Sequence, residues 1–400
     1  VIIHFRRCKT LECIPTNMEE NVTIDRALEI LSDHPILSKT EEIPLFEAHN
    51  RISARQMISL VDNPPFDNSS IDGWAVIASD DPNKRVEISS IFAGDKTPPP
   101  LSSGDAFRIM TGAPIPKNAD ALVMVEDGIN GQARNNFIRF KGENISKGEI
   151  ALKQSSLLTP ASLALLASVG HSTVSVFTKP IVSIIPTGNE LISPGKELLD
   201  GQIYESNSIT LSTLVKRAGA IPSVVDSIKD ELNDLRDTLD YCASTSDLII
   251  TSGGVSMGDR DYIRKLLIEE GTPLFWKVKM RPGGPPIFGI WKDTPIIGLP
   301  GNPVSSYVVF LNLIVPWLSH PDLFYKKIRA HLQSQLKGAP EKTTFRRIKI
   351  ESKDQLFAST HTHQGSGNIK SMVVHDALSI LPPNTNGEVG DIIDALWLFD

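Results

Sequence analysis

The stretch TSGGVSMGDRDY (Thr251–Tyr262) places a glycine pair, three hydroxyls and two aspartates directly after Asp247-Leu-Ile-Ile, the end of an apolar run. Glycines let a backbone approach a ligand closely, and the start of a helix presents unpaired N–H groups to an anion. Carboxylates in the same place would repel that anion unless a cation or a proton transfer required them. The stretch therefore points to a phosphate-like ligand together with a metal or acid–base chemistry. Loops of similar composition recur: PTGNEL (Pro186–Leu191), Arg281-Pro-Gly-Gly-Pro-Pro286 and Pro300-Gly-Asn-Pro-Val-Ser305. Each loop alone reads as an ordinary turn, with Asp259 or Asp261 only capping a helix. Carboxylates and hydroxyls, however, return in one polar loop after another, at Asp72, Thr111, Glu190 and Asp261.

These loops need a frame. From Pro180 onward, short apolar runs (IVSII, AIPSVV, DLIIT, LFWKVKM, PIIGL) alternate with helix-periodic segments, which predicts a mostly parallel sheet covered on both faces. Ligands in such sheets sit at the C-terminal strand ends, where the four loops would converge. Upstream, residues 63–144 carry short apolar runs between Pro, Gly and Asn clusters, as in a β module. Helical patterns flank it, at Thr23–Leu31, with Thr23 as cap, and at Pro160–Gly170. Beyond His320 the pattern is again β. The expected organisation is α/β plus β: a discontinuous helical linker (18–62 and 145–179), an inserted β domain (63–144), an α/β domain (180–319) and a small C-terminal β domain (320–400). Residues 1–17 lack an initiator Met and are expected to be a tail or an artefact.

Composition narrows the function classes. Four hundred residues fit about two to four domains. Forty Lys+Arg against 47 Asp+Glu give −7, which argues against bulk-charge binding of nucleic acid. No apolar run reaches the ~18 residues of a membrane span, and Tyr307–Leu318 reads as a core helix. Cys8, Cys13 and Cys242 show neither pairing nor zinc spacing, which fits a reducing cytoplasm. His361 and His363 would share one face of a strand, with no third metal ligand near in sequence. Gly254-Val-Ser256-Met-Gly258 formally matches a serine-hydrolase elbow, but the glycines precede the helix and the neighbouring aspartates would not help a serine nucleophile.

The motifs NPPFDNSSIDGWAV, RIMTGAPIPKNADALVMVED, PTGNEL, GQIYESNS, SGGVSMGDRDY, FWKVKMRPGGPPIFG, GLPGNPVSS and HTHQGSG occur in the order found in molybdopterin molybdenumtransferases. The chain resembles that family, the MoeA proteins and gephyrin E domains, from about Met18 to its end. The resemblance implies an elongated homodimer of four-domain subunits. It also implies transfer of molybdenum from molybdate to adenylylated molybdopterin with Mg²⁺ and release of AMP, the pterin being supplied by an adenylyltransferase. By the same resemblance, Asp261 and Glu190 lie near metal and phosphates, and Asp230 is a further acidic position. Asp72 and Thr111 reach the cleft from a partner subunit. Gly253, Gly254, Ser256, Asn207, Pro300, Asn302 and Ser305 hold pterin and phosphates, while Lys277, Arg281, Arg347 and Ser366 receive molybdate, with Lys277 also catalytic. Three departures stand out. Gly284 occupies a position that is commonly lysine, Arg281 one that is often lysine, and Ser146 with Gly148-Glu-Ile150 replaces the usual Arg and Gly-Glu-Asp. Loss of the lysine at 284 would remove positive charge from the oxyanion site. It keeps open a catalytically weak scaffold as the alternative function, with a nucleotide-pterin hydrolase as a third. Molybdate and tungstate are not distinguished.

Overall fold

The computed structural model describes residues 18–36, 39–228, 231–255, 262–319 and 326–398. Cys8, Cys13 and the 1–17 segment lie outside them. The chain divides into two compact units, Val1–Lys39 with Thr178–Asp400, and Thr40–Phe177.

The first unit is built on a seven-stranded sheet in the order Glu19–Val22, Thr272–Val278, Ile287–Trp291, Thr294–Leu299, Leu248–Ser252, Ile181–Pro186, Ile221–Val224. All neighbours are parallel except Ile287–Trp291, which runs against both of its partners. The central strand Leu248–Ser252 is buried on both faces, which explains its unbroken apolar start. On one face Ile184, Ile250 and Ile297 pack with Leu31, Leu211 and Phe310, from helices Ile24–Asp33 and Asn207–Arg217 and the helix that begins at Pro303. On the other, Ile185, Ile249 and Ile296 pack with Leu235, Leu239 and Ile263, from helices Leu232–Thr245 and Tyr262–Glu269. Thr23 caps the first helix, accepting from the Arg26 N–H at 3.2 Å. The Pro303 helix passes through a π turn at Phe310–Ile314, where the Asn312 amide donates to the Val308 carbonyl at 2.8 Å. It is a core helix. Among the described residues no helix is long and apolar enough to cross a membrane.

The C-terminal strands Thr343–Ser352, Leu356–Ser359, Lys327–Leu332, Ile392–Trp397 and Ala377–Leu381 pair in that order, and the last returns to the first, closing a small barrel. Phe345, Met372, Leu378 and Leu396 of this barrel join the same hydrophobic cluster as Phe310 and Leu299. Met280–Arg281 adds alongside Thr343–Thr344 in parallel register. The barrel and the sheet therefore share a core, and the segment after Lys277 is held between them.

The second unit has a four-stranded sheet in the order Val86–Ile91, Asp105–Ile109, Gly73–Val76, Ala121–Met124, packed around Ala75, Phe107, Ile109 and Leu122. A second cluster, with Leu158, Leu166, Val174 and Val176, joins helix Pro160–Ser168 to the strand pairs Thr40–Pro44 with Thr173–Phe177 and Met57–Ile58 with Ile150–Leu152. Thr159 and Ser162 close a capping box on that helix, with Pro160 in its first turn. Both segments read as helical are helices, Ile24–Asp33 and Pro160–Ser168, but strand pairs surround the second, and strand Glu19–Val22 with helix Ile24–Asp33 belongs to the first unit.

Candidate functional site

In the first unit, the parallel strands Ile181–Pro186, Leu248–Ser252 and Thr294–Leu299 end side by side, and the chain turns at Thr187, Gly253 and Pro300. The Thr187 N–H donates to the Ser252 carbonyl and the Gly253 N–H to the Leu299 carbonyl, both at 3.0 Å. Gly253 has φ +106°, and a Cβ there would lie 2.5 Å from the Thr187 carbonyl oxygen, so this turn admits only glycine. Asn207 opens the helix Asn207–Arg217, and its amide donates to Ser252 Oγ at 2.7 Å and to the Gly301 carbonyl at 2.8 Å. It fastens two of the converging loops. Ser305 is buried in the first turn after Asn302, and the Val304 N–H donates to the Ser366 carbonyl at 3.1 Å. The HQGSG loop of the C-terminal barrel thereby reaches the same edge. The hydroxyl of Thr187 is buried there with no hydrogen-bond partner among the described residues. Such a group is costly unless a ligand or water completes it. Thr187 was not singled out from sequence, although a hydroxyl after a strand and before a glycine is the signal that could have marked it.

Glu190 lies exposed at the same edge and folds over the turn: a Cβ on Gly188 would be 2.8 Å from its carboxylate. Ile228 bridges to Thr187 across this turn. Asp230, Ser256 and Asp261, expected here from sequence, lie outside the described residues.

Adjacent to this edge opens a cleft of about 540 Å³ whose lining includes Lys277, Lys279, Arg281 and Lys342. No carboxylate lines it among the described residues, and none of these four side chains has an ion-pair partner there. Positive charge is therefore uncompensated, which is what an anion requires. The first three cations alternate with Val278 and Met280, which are 2% and 1% exposed and face the core. Lys277, Lys279 and Arg281 are less buried and line the cleft instead. Lys277 sits at φ +64°, an uncommon backbone state for a non-glycine residue. Its ammonium lies 3.8 Å from the centroid of Trp276, whose ring also carries the Arg264 guanidinium at 3.7 Å. Gly283 has φ +98°, and a Cβ there would fall 2.5 Å from Val309 Cγ2 and 3.2 Å from the Ser305 carbonyl. This loop consequently packs onto the Pro303 helix and joins the cleft to the strand-end edge.

Of the four residues expected to receive the oxyanion, Lys277 and Arg281 line the cleft, while Ser366 touches the Pro303 helix beside it. Arg347 stands behind them. It is fully buried, its Nε donating to Ser371 Oγ at 3.0 Å and its terminal nitrogen to the Gly365 carbonyl at 3.1 Å. Burial, aided by the charge of Arg346, pushes its guanidinium down to about 10, still cationic at neutral pH. Gln364 completes the frame by accepting from the Arg347 N–H and donating to its carbonyl. Arg347 here holds the loop that carries Ser366. Lys279 and Lys342 were missed from sequence. The Lys-Val-Lys-Met-Arg alternation signalled the first, and nothing local signalled the second.

His361 and His363 do not share a strand face, because the strand ends at Ser359. His361 pairs with Ser359 Oγ at 2.7 Å and stacks on the buried His375, while the His363 ring accepts from the Gly365 N–H. No group of three His, Cys, Asp or Glu side chains suited to a metal occurs among the described residues. Cys242 is buried packing, and burial pushes its thiol up.

In the second unit Asp72 and Thr111, named separately from sequence, form one pair. Asp72 Oδ1 accepts from the Thr111 N–H at 2.8 Å and from its hydroxyl at 3.0 Å. These two bonds, with a weaker contribution from Arg108, hold the exposed Asp72 carboxyl below the usual carboxylate range.

Three family models match in order along the chain: the MoeA N-terminal region (domain I and II) at residues 22–170, a probable molybdopterin binding domain at 183–320 and the MoeA C-terminal region (domain IV) at 329–398. The molybdopterin molybdenumtransferase of Haemophilus influenzae is 37% identical over 311 residues, 74% of this chain and 77% of that protein. Molybdopterin molybdenumtransferase 2 of Mycobacterium tuberculosis is 38% identical over 336 residues, 77% of this chain and 83% of that protein. The crystal structure of a molybdopterin biosynthesis MoeA protein from Pyrococcus horikoshii superposes with a TM-score of 0.81 at 30% identity, covering 95% of this chain and 100% of that one. With strand ends, cationic cleft and C-terminal barrel all in place, the chain belongs to the molybdopterin molybdenumtransferase (MoeA) family, enzymes of molybdenum cofactor biosynthesis.

Proposed function

We propose that this enzyme takes molybdate into the cleft of Lys277, Lys279, Arg281 and Lys342, transfers the molybdenum to the dithiolene of adenylylated molybdopterin, and releases AMP. The observation that carries this is the set of four cations without a carboxylate among the described lining residues, in a cleft beside the sheet's C-terminal edge. A tetrahedral dianion is suited to ammonium and guanidinium donors. The strand-end edge supplies a different surface, for the pterin and phosphates: the closely approaching backbone at Gly253 and Gly254, the Thr187 hydroxyl, and the loops fastened by Asn207. Asn302, Pro300 and Ser305 shape its far side, and Ser366 stands where the two surfaces meet.

Asp72 and Thr111 we assign to the same reaction, supplied by the other subunit of a homodimer. An adenylyltransferase would deliver the pterin, and the cytoplasm is the compartment that fits. Mg²⁺ would neutralise phosphate charge on the adenylylated substrate. Glu190 offers it one carboxylate, but the described residues do not by themselves assemble a Mg²⁺ site.

The test is incubation of purified protein with adenylylated molybdopterin, Mg²⁺ and either molybdate or tungstate, following AMP. The expected result is AMP release that depends on the oxyanion. Tight pterin binding without oxyanion-dependent AMP release would overturn the proposal in favour of a pterin-binding scaffold.

A further inference from the structure

We propose that His375 is a positioning residue of the oxyanion site: its neutral imidazole clasps both ends of the loop that carries Ser366, and protonation of the ring releases that loop. The inference deepens the function proposed above and rests on it. His375 is fully buried, in the turn between helix Lys370–Val373 and strand Ala377–Leu381. Its Nδ1 lies 2.7 Å from the Ser371 carbonyl. A carbonyl only accepts, so Nδ1 carries the proton and the neutral ring leaves Nε2 as an acceptor. That acceptor is used: the His361 N–H donates to Nε2 at 3.4 Å. One imidazole thus holds His361 at the start of the HTHQGSG loop and Ser371 beyond its end. Between them the Ser366 carbonyl accepts from the Val304 N–H, which docks the loop on the Pro303 helix. Ser371 is shared further, its hydroxyl accepting from Arg347 Nε at 3.0 Å and donating to the Asn368 carbonyl at 2.6 Å.

The clasp works in one protonation state only. A proton on Nε2 would point at the His361 N–H and turn the acceptor into a second donor. It would also place a charge in the interior. Among the described residues, the charged and titratable groups that face the ring are His361, Arg347 and Asp376. The His361 ring stacks on it with centroids 6.4 Å apart, and the Arg347 guanidinium is a buried cation. Asp376 carries the opposing charge, but its carboxylate already accepts from Lys349 at 2.9 Å and from the Ile350 N–H at 2.8 Å. Burial, helped by His361 and Arg347 and opposed by the Ser371 bond and Asp376, holds the ring below the ordinary histidine range. Such a group contributes its stability above its unfolded pKa and loses it as pH falls through the depressed one. The loop is therefore held at neutral pH and released in acid.

Two measurements on the full chain test this, from about pH 8 down to about pH 5.5 at fixed ionic strength. They are calorimetric titration with sodium molybdate and NMR of the Ser366 and Val304 amide resonances. Wild-type affinity for molybdate should fall about tenfold toward the acid end, and both amide resonances should move with the same midpoint. His375→Asn cannot titrate but offers an amide donor to the Ser371 carbonyl, so its affinity should start slightly below wild type and stay level. His361→Asn keeps the main-chain N–H and removes the other ring that could titrate, so the acid loss should persist. An acid loss that survives in His375→Asn, or that disappears in His361→Asn, would overturn the inference. Wild-type amide resonances that stay fixed across the range would do the same without any variant. Resonances that titrate in a wild type that binds no molybdate at any pH would sustain the clasp and overturn the function on which the inference rests.

Discussion

The strand-end edge and the cationic cleft adjoin in one unit, yet they are made in opposite ways. At the edge the space for a ligand is cut by backbone: Gly253 is pressed against Thr187, and Asn207 draws the Ser252 and Gly301 loops together. Among the described residues of the edge, hardly any formal charge is involved beyond Glu190. In the cleft the side chains are long, and what unites Lys277, Lys279, Arg281 and Lys342 is uncompensated charge. A surface defined by backbone shape fails through strain when it is altered. A surface defined by charge loses affinity by degrees and weakens as salt rises, since partly exposed charges are screened. The two suit the two halves of the proposed substrate pair, a large flat heterocycle with phosphates and a small dianion.

The sharpest way to break this contrast is at Gly253. Gly253→Val would force a branched side chain into a left-handed backbone state and onto the Thr187 carbonyl. It should cost roughly 3 kcal/mol of stability and abolish AMP release, readable as a lower melting temperature and a dead assay. A Gly253→Val protein with wild-type melting and turnover would mean that the edge is not shaped by its backbone.

Arg347 stands between the two cases, being a cation used as a structural part. Arg347→Ala removes a buried side chain and leaves the Gly365 carbonyl without its donor, a loss of about 2–4 kcal/mol. Molybdate binding should fall with it, because Ser366 loses the loop that positions it. Arg347→Met fills much of the volume without donating, so comparing the two separates packing from hydrogen bonding. If Arg347→Ala weakened molybdate binding with no change in melting temperature, Arg347 would have to reach the oxyanion itself.

Sequence made the sheet legible wherever strands are buried on both faces, as at Leu248–Ser252, because continuous apolar runs leave little alternative. It missed Ile287–Trp291, where Gly289 interrupts the run. That glycine is required by close approach to the neighbouring strand, since a Cβ would lie 2.6 Å from the Thr272 carbonyl. It missed Glu19–Val22 for another reason: an edge strand of Glu-Glu-Asn-Val buries only its last residue, so it has no apolar pattern to read. Among site residues, Lys277 and Arg281 could be named because the motif FWKVKMRPGGPPIFG that holds them resembles the family's. Lys342 could not, because its role depends on a pairing with Met280–Arg281 across about sixty residues of chain. The chain alone shows only a lost charge at Gly284, whereas the fold brings the Lys342 ammonium to 3.9 Å from where a Cβ would stand there.

The smallest expected effect concerns the second unit. Asp72 is exposed, so its low pKa comes from two specific bonds to Thr111 and not from burial. A carboxyl whose folded pKa lies below its unfolded value contributes stability above the usual carboxylate range and loses it as pH falls through the depressed value. Thr111→Val deletes the hydroxyl bond and keeps the backbone N–H, which is the larger of the two causes. Asp72 should therefore titrate at a higher pH than in wild type while remaining below an ordinary aspartate, as followed by NMR of the side-chain carboxyl carbon. If Asp72 acts in the reaction, the acidic limb of the AMP-release profile should move upward by the same amount. A carboxyl that shifts while the profile stays fixed would make the pair a turn-stabilising device with no part in turnover. An Asp72 with ordinary titration in the wild type would mean that the pair does not persist in solution.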